Sequence, residues 1–403
     1  MNMRDVVVVG YLRTAQSRSR PTDPGRDVFC KLRSDELLAK LLPEVIKRTG
    51  IKAEDIDDFI VGSALGVSEQ WTFGGRLPIF LANLPEKIPS KFVDQQCGSS
   101  MAAIHMGFLE IASGFADIVV VGGMEHMTRV PMWAGPIPEK GIIAPNHRLL
   151  TEPAYAHWDM QTCMNMGLTA EKLFTQSGLT REDMDRWAFR SHQRAAKAQR
   201  EGFFKEEILP IDAEQADGSK ITVDRDQAVR EDATLEALMK LKPAFTPNGV
   251  ITAGNSSPLN AAATSMILTS KDVATEKELS PMAAIRSIAS AGVDPTIMGM
   301  GPIPASRKAL KKAGLTVKDI DYWEINEAFA IVALQCIKEL GIDPERVNVM
   351  GGGVAIGHPL GATGIRLVGT LARILHAKQG RYGLATACVG GGQGVATIIE
   401  NTN

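Results

Sequence analysis

The chain has 403 residues, 44% of them hydrophobic and 22% charged, a globular composition long enough for two or three packed units at roughly 100 to 200 residues each. Its 44 Lys and Arg against 46 Asp and Glu leave a formal net charge of -2, so no overall basic field draws it to nucleic acid, and no run approaches the roughly 18 apolar residues of a membrane span. The 5 cysteines, Cys30, Cys97, Cys163, Cys336 and Cys388, stand far apart without C-x-x-C spacing, which points to reduced thiols in a cytoplasmic setting and away from zinc.

In chain order, Val6-Val7-Val8-Val9 predicts a buried strand that follows Met1 too closely for a signal peptide. Residues 34–50 predict a helix capped by Ser34, with Asp35 and Glu36 in its first turn, an apolar face of Leu37, Leu38, Leu41, Leu42, Val45 and Ile46, and a kink at Pro43. The segment from Gly50 to Val61 recurs from Gly314 to Ile325, each copy a helix stop followed by a strand, and the strand from Asp117 to Gly123 has a counterpart from Gly383 to Gly391. Two related halves of alternating strands and helices follow, an α/β architecture with largely buried sheets. Between them, over roughly 125–250, Pro131, Pro136, Pro138, Pro145 and Pro153 break up the chain before a charged helical stretch from Leu168 to Phe203. This is an excursion from the scaffold, and such excursions usually carry binding function.

Cys97 lies in Val93-Asp94-Gln95-Gln96-Cys97-Gly98-Ser99-Ser100, where a buried helix is expected to begin at the cysteine. A free thiol is only a few per cent thiolate near neutral pH, and helix amides with the positive dipole end favour the anion. Alone, the residue reads equally as core filling. His358 sits in the stretch from Gly351 to Gly364, whose glycines let an imidazole enter a crowded site and which matches neither G-x-G-x-x-G nor a P-loop ending. Cys388 precedes Val389-Gly390-Gly391-Gly392, whose amides can face an anionic oxygen; a core cysteine before a turn is the plainer alternative. Asn326 opens Asn326-Glu327-Ala328-Phe329-Ala330 where the first half has Gly62, and is either a helix cap or a group that positions water. His105 and His126 read as core or loop residues, and His147, His157, His192 and His376 lack a partner spacing.

The conjunction, in this order, of Cys97-Gly98-Ser99-Ser100, Asn326-Glu327-Ala328-Phe329-Ala330, Gly357-His358-Pro359 and Cys388-Val389-Gly390 resembles the thiolase family, most of all its degradative members acting on 3-ketoacyl-CoA. Supporting blocks run from Gly122 to Met127, Met166 to Glu171, Gly254 to Ser257 and Met300 to Ser306. The resemblance implies two similar α/β halves in α-β-α-β-α layers plus an inserted loop domain. Residues 1–124, completed by about 250–278, would form the N-terminal half, 125–249 the loop domain covering coenzyme A, and 279–403 the C-terminal half. It also implies a homodimer or homotetramer, room for a hydratase/dehydrogenase partner subunit, and no permanently bound cofactor or metal. Coenzyme A is then a co-substrate.

By the same resemblance, Cys97 attacks the 3-ketoacyl carbonyl with His358 as base, Cys388 protonates the departing enolate, and free coenzyme A collects the acyl group. His358 and a water held by Asn326 serve the enolate oxygen, while the amides of Cys97 and Gly390 serve the tetrahedral oxyanion. Arg230 and Phe245 are implied near the nucleotide, with Met166, Ser257, Ala328 and Phe329 along the pantetheine. An acetoacetyl-CoA thiolase running the Claisen condensation is the alternative, and a non-catalytic acyl-CoA binder a further one. The chain departs from the family in Asp94-Gln95-Gln96, where an Asn-Arg pair is usual, and in Asn260-Ala261-Ala262-Ala263, where Asp-Gly-Ala is common, which leaves that loop's anchoring open. Asn165 replaces the histidine typical of biosynthetic members and leans towards degradation.

Overall fold

A computed structural model describes residues 3–71, 73–130 and 146–402; Pro131, Pro136, Pro138 and Pro145 of the expected excursion lie outside the described residues. The strands are β1 (Val6–Thr14), β2 (Asp58–Gly62), β3 (Ser90–Val93), β4 (Ile118–His126), β5 (Ile208–Leu209), β6 (Ile211–Glu214), β7 (Lys220–Val223), β8 (Ala261–Ser270), β9 (Ala283–Gly292), β10 (Tyr322–Ile325), β11 (Tyr382–Val389) and β12 (Gln393–Asn401). The helices are α1 (Ser34–Thr49), α2 (Arg76–Leu81), α3 (Ser99–Ser113), α4 (Arg148–Thr151), α5 (Met160–Cys163), α6 (Met166–Ser177), α7 (Arg181–Arg200), α8 (Leu235–Met239), α9 (Lys271–Glu276), α10 (Pro302–Ala313), α11 (Ala330–Leu340) and α12 (Thr363–Lys378).

The same strand pattern is laid down twice. β2 runs parallel to β3 and β4, β4 antiparallel to β8, and β8 antiparallel to β1. In the second half β10 runs parallel to β11, β11 antiparallel to β12, and β12 antiparallel to β9. The repeated segments of the sequence are therefore β2 and β10. Each follows a helix that stops at a left-handed glycine, Gly50 after α1 and Gly314 after α10, with φ of 76° and 67°, a backbone conformation that a Cβ would strain. A short antiparallel pairing of Val6–Val8 with Ala283–Ile285 joins the two sets of strands into one sheet.

Helices α3 and α12 pack on each other between the halves, α3 against β2, β4 and β8 and α12 against β10, β11 and β12. α1 covers the other face of β1, β4 and β8, and α10 the other face of β9, β11 and β12. This is the five-layer α-β-α-β-α order, and three separate apolar cores fill its layers. The central layer explains why α3 carries no Asp, Glu, Lys or Arg before Glu110: a helix with sheet-bearing halves on both sides has little solvated face.

Local expectations are corrected at the cap of α1 and in the charged stretch after Leu168. The cap of α1 is Arg33 rather than Ser34: the Glu36 carboxylate accepts the Arg33 N–H at 2.7 Å, and Ser34 Oγ has no partner among the described residues. Pro43 sits on the exposed face of α1, which continues to Thr49. The charged stretch after Leu168 is two helices, α6 and α7, separated at left-handed Gly178 (φ 67°), with Thr180 Oγ1 accepting the Asp183 N–H to start α7. Among the described residues no helix is long and apolar enough to cross a membrane.

Candidate active site

The chain reaches Cys97 from the end of β3 through Gln96, a non-glycine residue at φ 47°. Such a backbone costs of order 1 kcal/mol or more and persists only where its surroundings hold it. Here Asp94 Oδ1 accepts the Gln96 N–H at 2.7 Å, and Gln96 Nε2 donates to the Ala64 carbonyl at 3.2 Å. Cys97 lies in a 3-10 turn, Gln96–Gly98, and α3 begins only at Ser99, so the helix starts two residues later than expected. The turn packs on β11 of the other half. A Cβ on Gly98 would press on Val389 and Val395, and one on Gly62 would overlap the Ser99 and Ser100 backbone, so both positions need glycine for this close approach.

The amides of Gly390, just after β11, and of Cys97 itself are directed at the Cys97 sulfur and lower its pKa, where amides of α3 were expected to do so. Burial acts the other way and wins, pushing the thiol up to about 12. The resting sulfur is a thiol.

His358 is held from three sides. Its N–H donates to Asn260 Oδ1 at 2.8 Å, its Nδ1 lies 2.7 Å from Thr363 Oγ1, and Asn326 Nδ2 lies 3.3 Å from its Nε2. Thr363 gives its own hydroxyl proton to the Pro359 carbonyl at 3.0 Å. The threonine oxygen therefore accepts from Nδ1–H, which leaves the lone pair on Nε2. Burial, with the Arg366 charge second, pulls the imidazole down to about 3, so it is a neutral base. Neutral thiol beside neutral base is an arrangement that moves one proton when the sulfur attacks, without first separating charge in a dry site.

Asn326 follows β10 directly, its N–H donating to the Thr386 carbonyl of β11 at 2.9 Å. It does not cap a helix, because α11 starts at Ala330 with Phe329 before it. Its Oδ1 is buried without a hydrogen-bond partner among the described residues. The loop that carries it is pinned by Glu327, whose carboxylate accepts from Trp187 Nε1 (2.9 Å), Ser191 Oγ (2.8 Å), Asn348 Nδ2 (2.7 Å) and the Val354 N–H (3.1 Å). Cys388, near the end of β11, is fully enclosed; burial raises its thiol pKa, and the nearby Cys97 and Cys336 raise it further. It is a firmly protonated thiol.

Cys97 and His358 open into a pocket of about 110 Å³ that Met166, Phe245, Ser257, Ala328 and Phe329 also line. Phe245 meets Phe329 edge-on at 6.0 Å between ring centres. Asn326, Cys388 and Gly390 stand behind this lining rather than on it. Arg230 is exposed and outside the pocket, with its N–H donating to His192 Nδ1 at 3.2 Å. Among the described residues no group of His, Cys, Asp or Glu is placed to hold a metal ion.

Three residues not singled out from the sequence shape the site. Asn260, there read only as a departure, holds the His358 backbone and donates from Nδ2 to the Ser17 carbonyl at 2.5 Å, so the loop whose anchoring was left open is anchored by an amide. Thr363 sets the His358 tautomer. Glu125, wholly buried, accepts the Ala64 and Gly361 N–H groups at 2.9 Å each and the Gln70 amide, tying the two halves together beside Cys97. Burial pushes its carboxyl up to about 7. A lone acid at the end of the apolar run Val119-Val120-Val121 was the available signal, since an unpaired buried acid is rare. The other departure is bridged as well: Gln95 Nε2 donates to Gln393 Oε1 of β12 at 3.2 Å.

A family model for the thiolase N-terminal domain matches residues 6–272, and one for the thiolase C-terminal domain matches residues 279–401. A 3-ketoacyl-CoA thiolase of Vibrio vulnificus (strain CMCP6) is 41% identical over 403 residues, covering 99% of this chain and 100% of that protein. Among solved structures, human mitochondrial 3-ketoacyl-CoA thiolase in complex with CoA matches with a TM-score of 0.86 at 32% identity over 99% of this chain and 98% of that one. Bacillus anthracis acetyl-CoA acetyltransferase matches with a TM-score of 0.85 at 34% identity, covering 99% of each chain.

Proposed function

This chain belongs to the thiolase family, and on that footing we propose that it cleaves 3-ketoacyl-CoA with coenzyme A, in fatty-acid β-oxidation, to acetyl-CoA and a shortened acyl-CoA. The sulfur of Cys97 attacks the 3-keto carbonyl as its proton passes to His358 Nε2, and the amides of Cys97 and Gly390 receive the oxyanion. Collapse breaks the Cα–Cβ bond. The electron pair becomes the enolate of acetyl-CoA, whose oxygen faces His358 and a water on Asn326, and Cys388 delivers its proton to Cα. The thiol of a fresh coenzyme A then attacks the acyl group on Cys97; its proton restores Cys388, and the proton on His358 returns to Cys97.

The observation that carries this reading is the convergence of unlike groups: the Cys97 turn packs on β11, which carries Cys388, while Cys97 shares its pocket with a neutral His358. Residues 125–249 are the region we read as covering coenzyme A, supported by Met166 and Phe245 in the pocket wall. Asn165 caps α6 by accepting the Gly167 and Leu168 N–H groups at 3.1 and 3.2 Å, which sets Met166 at the pocket. The homodimer or homotetramer, the cytoplasmic setting and any hydratase/dehydrogenase partner rest on the family resemblance. Mixing the protein with coenzyme A and 3-ketoacyl-CoA substrates of increasing length should consume the ketoacyl absorbance; no turnover at any length overturns the reading. Preference for acetoacetyl-CoA alone, with condensation of acetyl-CoA, would instead place it with the acetyltransferases that share its fold.

A further inference from the structure

Glu125, one residue from the end of β4, is fully buried, and every group hydrogen-bonded to it among the described residues is a donor. One oxygen, Oε2, accepts the N–H groups of Ala64 and Gly361 at 2.9 Å each. The other accepts the Gln70 amide and, at 3.4 Å, the Ser63 hydroxyl. The Gln70 amide cannot turn round, because its own oxygen accepts the His126 N–H at 2.6 Å and its Nε2 also donates to the Leu65 carbonyl at 2.8 Å. A protonated carboxyl must give up at least one of these bonds, so only the carboxylate makes the full set. The buried carboxylates of Glu207 and Glu324 are paired with Arg13 and Arg366, whereas among the described residues no cation pairs with Glu125. A buried charge without a counter-ion is costly, and such groups concentrate at functional sites.

Both bonds to Oε2 lead to the reacting groups. Ala64 packs with Cys97, Met127 and Leu360, and its carbonyl accepts Gln96 Nε2 at 3.2 Å, from the strained residue just before the nucleophile. Gly361 lies in the turn Leu360–Ala362, between His358 and the Thr363 that fixes the imidazole. One oxygen atom therefore joins the segment that braces Cys97, in the first half, to the segment that carries His358, in the second. We infer that Glu125, as the carboxylate, is a positioning residue that holds nucleophile and base at their reacting separation. The inference rests on the thiolase reading of Cys97 and His358. A displacement of about 1 Å between reacting groups is enough to cost about a hundredfold in rate.

The bridge brings a pH signature with it. Burial pushes the Glu125 carboxyl up to about 7, so the full set of bonds is present above that pH and lost as pH falls through it. On the segments packed around it, the titratable groups are Cys97, raised to about 12, His358, lowered to about 3, the adjacent His126, and Glu69, which is paired with Arg129 at 2.7 Å. Because the folded value lies above the usual carboxyl value of about 4.3, this group adds stability at low pH that is lost as pH rises through 7. Its acid inactivation is therefore distinct from acid unfolding.

The test follows acetylation of Cys97 by acetyl-CoA in single turnovers of the full-length protein, quenched in acid and read by mass spectrometry across pH 5 to 9. The wild-type maximal rate should fall about tenfold per pH unit below 7, with half-saturating acetyl-CoA changed by no more than about twofold. Glu125→Gln should lower the maximal rate about a hundredfold, leave half-saturation within about threefold and abolish the acid limb. Gln70→Leu, which takes one donor from the carboxylate, should move the limb up by about one pH unit and keep the plateau rate within about threefold. Circular dichroism checks folding, and if Glu125→Gln does not fold, the Gln70→Leu limb decides. A flat wild-type profile, a Glu125→Gln protein that keeps the wild-type rate or the acid limb, a loss carried by half-saturation, or an unmoved Gln70→Leu limb overturns the inference. A wild-type Cys97 that takes no acetyl group at any pH overturns the functional reading beneath it instead.

Discussion

The two halves of the molecule carry one device twice and use it for different chemistry. In the first half a 3-10 turn, Gln96–Gly98, leads into α3 and presents Cys97; in the second a 3-10 turn, Leu360–Ala362, leads into α12 just after His358. α3 and α12 pack together in the central layer, so the two turns meet. At the ends of the matching strands the contrast is sharper. Gly62 closes β2 with no side chain, which leaves room for the start of α3, whereas Asn326 follows β10 with an amide that reaches His358. Repetition fixes places, and divergence fills them with unlike groups. A thiol and a base can share a proton across the seam only because the halves differ there.

Substitutions can break or sharpen this contrast. Cys97→Ala removes the nucleophile and should lower kcat by on the order of 10⁴-fold or more, read from ketoacyl consumption. His358→Ala removes the opposing base and should cost about 10³-fold in the same assay, within the usual range for general acid–base catalysis. Asn326→Gly gives the second half the residue of the first; it should fold normally by circular dichroism yet lose about 10²-fold in kcat, the scale of one lost oxyanion partner. Gly62→Ala is the reciprocal probe. Its Cβ would overlap the Ser99 and Ser100 backbone, so denaturant unfolding should show a loss of about 1–3 kcal/mol, typical of overpacking.

The repeat of Gly50–Val61 in Gly314–Ile325 made the paired halves legible, because a glycine stop followed by an apolar strand is a local pattern. The site was harder. Cys97, Cys388 and Asn326 taken alone read as well as core filling or a cap, and only their joint resemblance to a family raised them above that. Arg230 was carried over by resemblance, and the structure leaves it exposed and outside the pocket that holds Phe245. What stayed hidden is the shell that orients the reacting groups. Thr363, Asn260 and Glu125 act through hydrogen bonds to partners 5, 98 and 236 positions away, separations that periodicity does not report. The charge state of Cys97 was hidden for a related reason. The start of a helix can be read from sequence, but the burial among Ala64, Met127 and Leu360 that raises the thiol, and the Gly390 amide that opposes it, arise only in the folded chain.

The most direct test is to find which sulfur carries the acyl group. Wild-type protein incubated with acetyl-CoA, quenched in acid and digested, should yield an acetylated peptide containing Cys97 by mass spectrometry, while the peptide with Cys388 stays unmodified. An acetyl group on Cys388, or no covalent adduct on either cysteine, would contradict the division of labour between the halves.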